Sequence, residues 1–132
     1  MTTSWDDVRP YFERDAVAHV ATLMPDGAPH SVPVWIGVEG DRLAFFSVAG
    51  SRKDENVQAD PRVAFSITTP DNPLDMAFVR GEVVERITGD AAFEIIDPIS
   101  QKYAGKPYFD RSAHTAFLVR PDTSWFHDYS AD

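Results

Sequence analysis

The residues best equipped for chemistry sit in one short run, Gly50-Ser51-Arg52-Lys53-Asp54-Glu55-Asn56, between two strand-like segments. Ser51 has the type and position of a helix N-cap, and Asp54 follows three residues later in capping-box-like spacing. A helix start leaves backbone N–H groups unpaired and carries a partial positive charge. A hydroxyl, a guanidinium and an ammonium gathered there make an anion site suited to a phosphate. Arg52 offers a bidentate fork, Lys53 a mobile point charge, and Asn56 adds an amide. The plainer reading is a solvated helix start whose bases pair with Asp54 and Glu55. The residues by themselves leave both open.

Little else in the chain suggests a reaction centre. His19, His30, His114 and His127 show no metal-ligand spacing, so no metal site is expected and each histidine reads as structural or exposed. His127, close to Trp125, is the one considered as a proton donor. No Ser-His-Asp or paired-carboxylate arrangement is evident, and catalytic residues stay unassigned. Cysteine is absent, which removes disulfides and thiolate metal sites. A net charge of −9 argues against a general binder of nucleic acid or anionic membrane, whose affinity rests on many Lys and Arg contacts. The N-terminal run lacks a basic segment followed by an apolar one, and no apolar run is long enough to span a bilayer. The expectation is a cytoplasmic protein with one domain over residues 1–132.

The elements that must position the run follow from periodicity and turn chemistry. Residues 5–15 read as a short helix. Ala16–Met24 and Pro29–Val38 read as a β-hairpin around Pro25-Asp26-Gly27, where proline pre-sets φ and glycine takes the left-handed position. In the second strand His30, Val32, Val34, Ile36 and Val38 share one face, and Ser31, Pro33, Trp35 and Gly37 the other. Pro33 cannot donate to a ladder, so its strand must be an edge or bulged, and bare backbone is then available to a ligand. Trp35 faces outward, as a subunit interface, as a cofactor wall, or packed under a helix. A turn at residues 39–41 leads into Leu43–Val48, and Arg62–Thr68 forms a further strand. Residues 69–75 read as a loop and Met76–Ile87 as a long strand with a bulge at Gly81. Thr88 is the predicted N-cap of a helix that Pro98 kinks or splits and Gly105 stops. Residues 104–114 are loop-like, and a last strand runs through Thr115–Pro121, with residues 123–129 extending or following it. Phe45, Phe65, Phe78 and Phe93 are the expected core aromatics. Short antiparallel strands with few helices indicate a small barrel.

The order of these features is itself informative. A hairpin with a PDG turn is followed by a Val-Pro-Val-Trp strand, a strand, Ser-Arg-Lys, a short helix, Asp-Pro-Arg-Val, a strand and Arg-Gly-Glu-Val. This order resembles the pyridoxamine 5'-phosphate oxidase-like split-barrel superfamily, the flavin and deazaflavin oxidoreductases, from about Val17 to Ile87. The resemblance implies a mainly β fold, a six-stranded antiparallel split β-barrel of the FMN-binding kind. It implies a homodimer that binds the deazaflavin F420, or FMN, at the subunit interface, and a small organic substrate. Ser51, Arg52 and Lys53 match the phosphate-contacting stretch, with Asn56 following in the helix. Pro33, Val34 and Trp35 match the strand along the ring system, and Phe46 and Ser47 the strand beside it. Trp125 is the candidate contribution from the second subunit's C-terminal part. Arg62, Arg80 and Lys106 are candidates for an acidic cofactor tail. The implied activity is F420-dependent hydride transfer. An FMN-dependent oxidase-like enzyme, and a non-catalytic carrier of flavin, F420 or haem, are the alternatives.

Overall fold

Seven strands and three helices follow one another in the computed structural model of the protein, which describes residues 3–131. Helix α1 (Trp5–Glu13) starts at Ser4, whose hydroxyl accepts the Asp7 N–H at 3.4 Å. Strands β1 (Ala18–Leu23) and β2 (Pro29–Val34) form the expected hairpin, paired from Ala18–Val34 to Leu23–Pro29. Its turn is closed by the Met24 N–H to Ala28 O bond at 2.8 Å, with Gly27 at φ +87°. A short β3 (Gly37–Glu39), β4 (Arg42–Val48), helix α2 (Arg52–Ala59) and β5 (Arg62–Thr69) follow. Then come β6 (Asn72–Ile87), helix α3 (Asp90–Ala104), β7 (His114–Asp128) and a final 3-10 turn (Tyr129–Ala131).

All strands pair antiparallel in one sheet of order β2-β1-β5-β6-β7-β4-β3. The sheet is not closed by hydrogen bonds, yet its two edges, β2 and β3, are separated in sequence only by Trp35 and Ile36. One run of chain therefore supplies both edges. Residues 29–34 pair with β1, and after a two-residue break residues 37–39 pair with β4. Counted as one broken strand, they give the six strands of a split barrel. Pro33 lies on this edge, where its missing N–H removes no ladder bond on the open side.

Alternation along the strands fills the interior. Val20, Leu43, Phe45, Phe65, Val79, Phe117 and Val119 are fully or almost fully buried, together with Val8 and Phe12 of α1. Phe45 lies 4.7 Å from Phe117 in a stack and 5.5 Å from Phe65 edge-on. Truncating one such ring to alanine costs about 3–5 kcal/mol. The bulge at Gly81 is real: the β6–β7 register shifts between Arg80 and Gly81, and a Cβ on Gly81 would run into the Arg120 carbonyl.

Four expectations change. Residues 69–75 are not an open loop; β6 begins at Asn72, directly after a tight turn. Gly89, not Thr88, precedes α3, because the chain leaves β6 through φ +68°, a conformation that favours glycine. Pro98 does not split α3, which runs unbroken for 15 residues. Pro98 and Glu94, whose carbonyl it leaves unbonded, both sit on the solvent side, where water can serve that group. Phe78 is half-buried on the outer face, against Trp125, and not in the core.

Candidate functional site

The start of α2 is built as the serine and aspartate spacing requires. Gly50 turns the chain at φ +78°, and the Ser51 Oγ accepts the Asp54 N–H at 3.3 Å. The Asp54 carboxylate reaches back to the Gly50 N–H at 2.8 Å. The Ser51 Oγ also lies 2.6 Å from the Ser47 Oγ of β4, so two hydroxyls meet at the helix start. Asp54 pairs with neither nearby base. Its fully buried carboxylate is gripped by Arg86 of β6 through two bonds of 2.8 Å, and Thr115 adds a contact at 3.4 Å. The Arg86 hydrogen bonds hold the Asp54 carboxyl below the usual carboxylate range, against the opposing effect of burial.

The two bases of the run have different fates. Arg52 is exposed and pairs with Glu55 at 3.3 Å. Lys53 is half-buried and, among the described residues, has neither a hydrogen-bond nor an ion-pair partner; burial pushes its ammonium below the usual lysine range. A half-buried cation without a counter-ion is the electrostatic feature of this face.

Lys53 opens into a cleft of about 330 Å³ that also takes in Pro33, Val34, Trp35, Phe46 and Ser47. Six of the ten expected cofactor residues, these five and Lys53, thus share one cavity. The rest of its wall is Val48, Tyr108 and Phe109 of the α3–β7 connection, and His114 at the start of β7, none of them among the ten expected cofactor residues. The aromatic faces are arranged around Tyr108: Phe46 lies edge-on at 5.0 Å, Trp35 edge-on at 6.1 Å, and His114 at 5.4 Å. Phe109 is 80% exposed at the mouth. His114 is buried and its Nδ1 lies 2.7 Å from the Ser112 carbonyl. A carbonyl only accepts, so Nδ1 carries the proton and Nε2 faces Asp110 at 3.8 Å.

The cleft wall is held at the break between β2 and β3. There the backbone has no ladder partner, and α3 replaces it. The Tyr103 hydroxyl accepts the Ile36 N–H at 3.2 Å and donates to the Ala16 carbonyl at 2.6 Å. Lys102 Nζ donates to the Ile36 carbonyl and, at 3.0 Å, to that of Phe12. Burial lowers the Lys102 ammonium to about 8, with Asp15 and Glu13 pulling the other way. The Tyr103 ring stacks on Trp35 at 5.1 Å with 2° between planes. Trp35 is therefore both packed against a helix and part of the cleft wall.

The remaining expected site residues lie elsewhere. Ser51 sits behind Ser47, and Arg52 points to solvent beside Glu55. Asn56 is buried and turned toward β1, where its Nδ2 donates to the Thr22 Oγ1 at 3.0 Å. Trp125 occupies a separate groove with His19, Ser66 and Phe78. The pairings Pro33–His19, His19–Ser66, Ser66–Phe78 and Phe78–Trp125 form one row across the outer face. Four strand spacings of about 4.8 Å put Trp125 about 19 Å along that row from Pro33. A larger cleft of about 470 Å³ contains Arg62 and Arg80, but Arg62 is chelated by Asp60, and the carboxylates Glu82 and Asp122 in its wall pair with Arg120. Lys106 is exposed on the α3–β7 connection. Among the described residues no helix is long and apolar enough to cross a membrane.

Comparison with known proteins bears on the family and the fold. The family model described as pyridoxamine 5'-phosphate oxidase matches residues 4–128. A solved F420 reductase is 30% identical, with a TM-score of 0.78, covering 89% of this chain and 94% of its own. A conserved hypothetical protein from Mycobacterium tuberculosis is 22% identical (TM-score 0.76; 97% of this chain and 86% of its own). A candidate pyridoxamine 5'-phosphate oxidase from Listeria innocua is 18% identical (TM-score 0.70; 94% and 98%). The last two show the fold. Among curated proteins none matches this chain.

Proposed function

The chain belongs to the pyridoxamine 5'-phosphate oxidase family, and on that footing we propose that it is an oxidoreductase that uses F420 for hydride transfer to or from a small organic molecule. The observation that carries the reading is Lys53, a half-buried cation with no counter-ion, next to the Ser47 and Ser51 hydroxyls and opening into an aromatic cleft. The residues fit such a cofactor. Lys53 and the paired hydroxyls at the α2 start suit a phosphate, and Trp35, Phe46 and Tyr108 suit a flat ring system. When bound, the deazaflavin supplies the hydride chemistry, and the protein's part is to orient it and exclude water. Pro33, in the cleft wall, would leave bare backbone available to the ring system. His114 places an imidazole in the cleft wall, with Nε2 directed toward Asp110.

F420 is favoured over FMN by the 30% identity to an F420 reductase; the family model favours a flavin. We propose further that the protein works as a homodimer. Trp125 lies four strands from Pro33 along the outer face of one chain and lines a different groove, and a second copy would bring it to a cofactor in this cleft.

The test is a side-by-side fluorescence titration of the protein with F420 and with FMN, followed by turnover assays with the tighter ligand. Tight F420 binding, weak FMN binding and reduction of an unsaturated substrate support the proposal. The reverse preference assigns a flavin enzyme. Binding without turnover across a broad substrate panel makes the protein a carrier, and binding of neither ligand removes the phosphate reading of Lys53.

A further inference from the structure

We propose that Arg86, on β6 and outside the cleft lining, is a positioning residue that sets the charge of the phosphate end of the cleft. The inference rests on the phosphate reading of Lys53. Its starting point is a conflict built into α2. The helix start needs a carboxylate: Asp54 bonds the Gly50 N–H, and its own N–H fixes the Ser51 hydroxyl beside Ser47. That same carboxylate is fully buried and adjacent in sequence to Lys53, where its negative charge opposes an anion.

Arg86 resolves the conflict. Its Nε and Nη2 each donate to one carboxylate oxygen at 2.8 Å, a parallel fork that no lysine can reproduce. The other contacts to this carboxylate come from neutral donors, Gly50 N–H, Thr115 Oγ1 and Gln58 Nε2. Arg86 is thus the one positive partner of Asp54 among the described residues. The charge balance of the helix start follows pair by pair. Arg52 is offset by Glu55 and Asp54 by Arg86, which leaves Lys53 and the helix terminus to attract a ligand. Removing Arg86 leaves an uncompensated carboxylate in the same helix turn as Lys53 and brings the local sum near zero.

A role confined to folding would weaken every ligand of the cleft alike; a charge role weakens only ligands that carry the phosphate. The readout is therefore the ratio of affinities for a phosphorylated ligand and its unphosphorylated counterpart, FMN against riboflavin and F420 against its dephosphorylated core. We expect Arg86→Met to lower that ratio about tenfold, Arg86→Lys to restore part of it, and Asp54→Asn/Arg86→Met to return it to within about threefold of wild type. Asp54→Asn alone, which keeps Arg86, should hold or raise the ratio. The double variant removes both charges and covers the case in which Arg86→Met does not fold. An unchanged ratio in Arg86→Met, or a double variant as impaired as the single one, overturns the inference and leaves the phosphate reading intact. A wild-type protein with no preference for the phosphorylated ligand overturns that reading, and the role of Arg86 with it.

Discussion

Replacing Tyr103 by phenylalanine removes one oxygen and keeps the ring stacked on Trp35, so it isolates the hydrogen bonds at the strand break. The hydroxyl accepts the Ile36 N–H at 3.2 Å and donates to the Ala16 carbonyl at 2.6 Å. Ile36 is 0% exposed and Ala16 is also buried, so water replaces neither partner easily. A buried donor left without a partner costs about 1–3 kcal/mol, and a lost neutral bond about 1 kcal/mol. The Ala16 carbonyl is the cheaper loss, since a lone pair tolerates underuse better than an N–H. The sum is about 2–4 kcal/mol. Urea unfolding followed by tryptophan fluorescence measures it, at one fixed protein concentration so that any subunit equilibrium is held constant. With a slope of about 1–3 kcal/mol/M for a small protein, the midpoint should fall by about 0.7 M or more. A change below about 0.5 kcal/mol, with the native tryptophan emission unaltered, would show that the break does not depend on the Tyr103 hydroxyl for its backbone partners.

Three further outcomes follow from the geometry. Lys53→Met should weaken phosphate-bearing ligands by about tenfold, the lower end for a charge-assisted bond because Lys53 is only half-buried, whereas Arg52→Ala should change affinity less than threefold; titration of both variants decides, and a dominant Arg52 would refute the assignment of the cation. Gly81→Ala should cost about 3 kcal/mol or prevent folding, because the new methyl meets the Arg120 carbonyl and a backbone atom cannot swing aside; a melting temperature equal to wild type would contradict the bulge geometry. Asp54 is held below its ordinary value of 3.8, chiefly by Arg86, so its charge stabilises the fold fully above that value and ceases to as the pH falls through the lowered one. The stability difference between wild type and Asp54→Asn should therefore shrink as the pH is lowered past that ordinary value; a difference that stays constant down to acid unfolding would disprove the ion pair.

What the sequence disclosed, and what it hid, divides along physical lines. Features written in neighbouring residues were legible: the Pro25–Gly27 turn, the Ser51 cap with Asp54, the edge position of Pro33 and the bulge at Gly81. The split barrel was legible only through resemblance, and the sheet order not at all, because nothing local states that β7 lies between β6 and β4. In the cleft, Lys53 was legible because its neighbours are helix-start residues. Tyr108, Phe109 and His114 were not, because they stand in a stretch without periodicity and reach the cleft through the path of the chain after α3. Arg86 and Asp54 are 32 residues apart and meet only once β6 lies beside α2. Thr88 misled because serine-like caps are the common helix start, while here the turn out of β6 demanded a left-handed residue one position later.

The break at Trp35 and Ile36 has a consequence for how the chain accommodates change in length. Each hairpin fixes its own register, β2 against β1 and β3 against β4, and a shift of one residue reverses which side chains face inward. Only two residues join these registers, so an added or deleted residue between Val34 and Gly37 cannot be absorbed by one hairpin without disturbing the other. The turns at Pro25–Gly27 and Gly40–Asp41 lie at solvent-exposed tips and carry no such coupling. The barrel is thus elastic at its tips and intolerant of length change at its seam, and the seam is also the wall of the cleft.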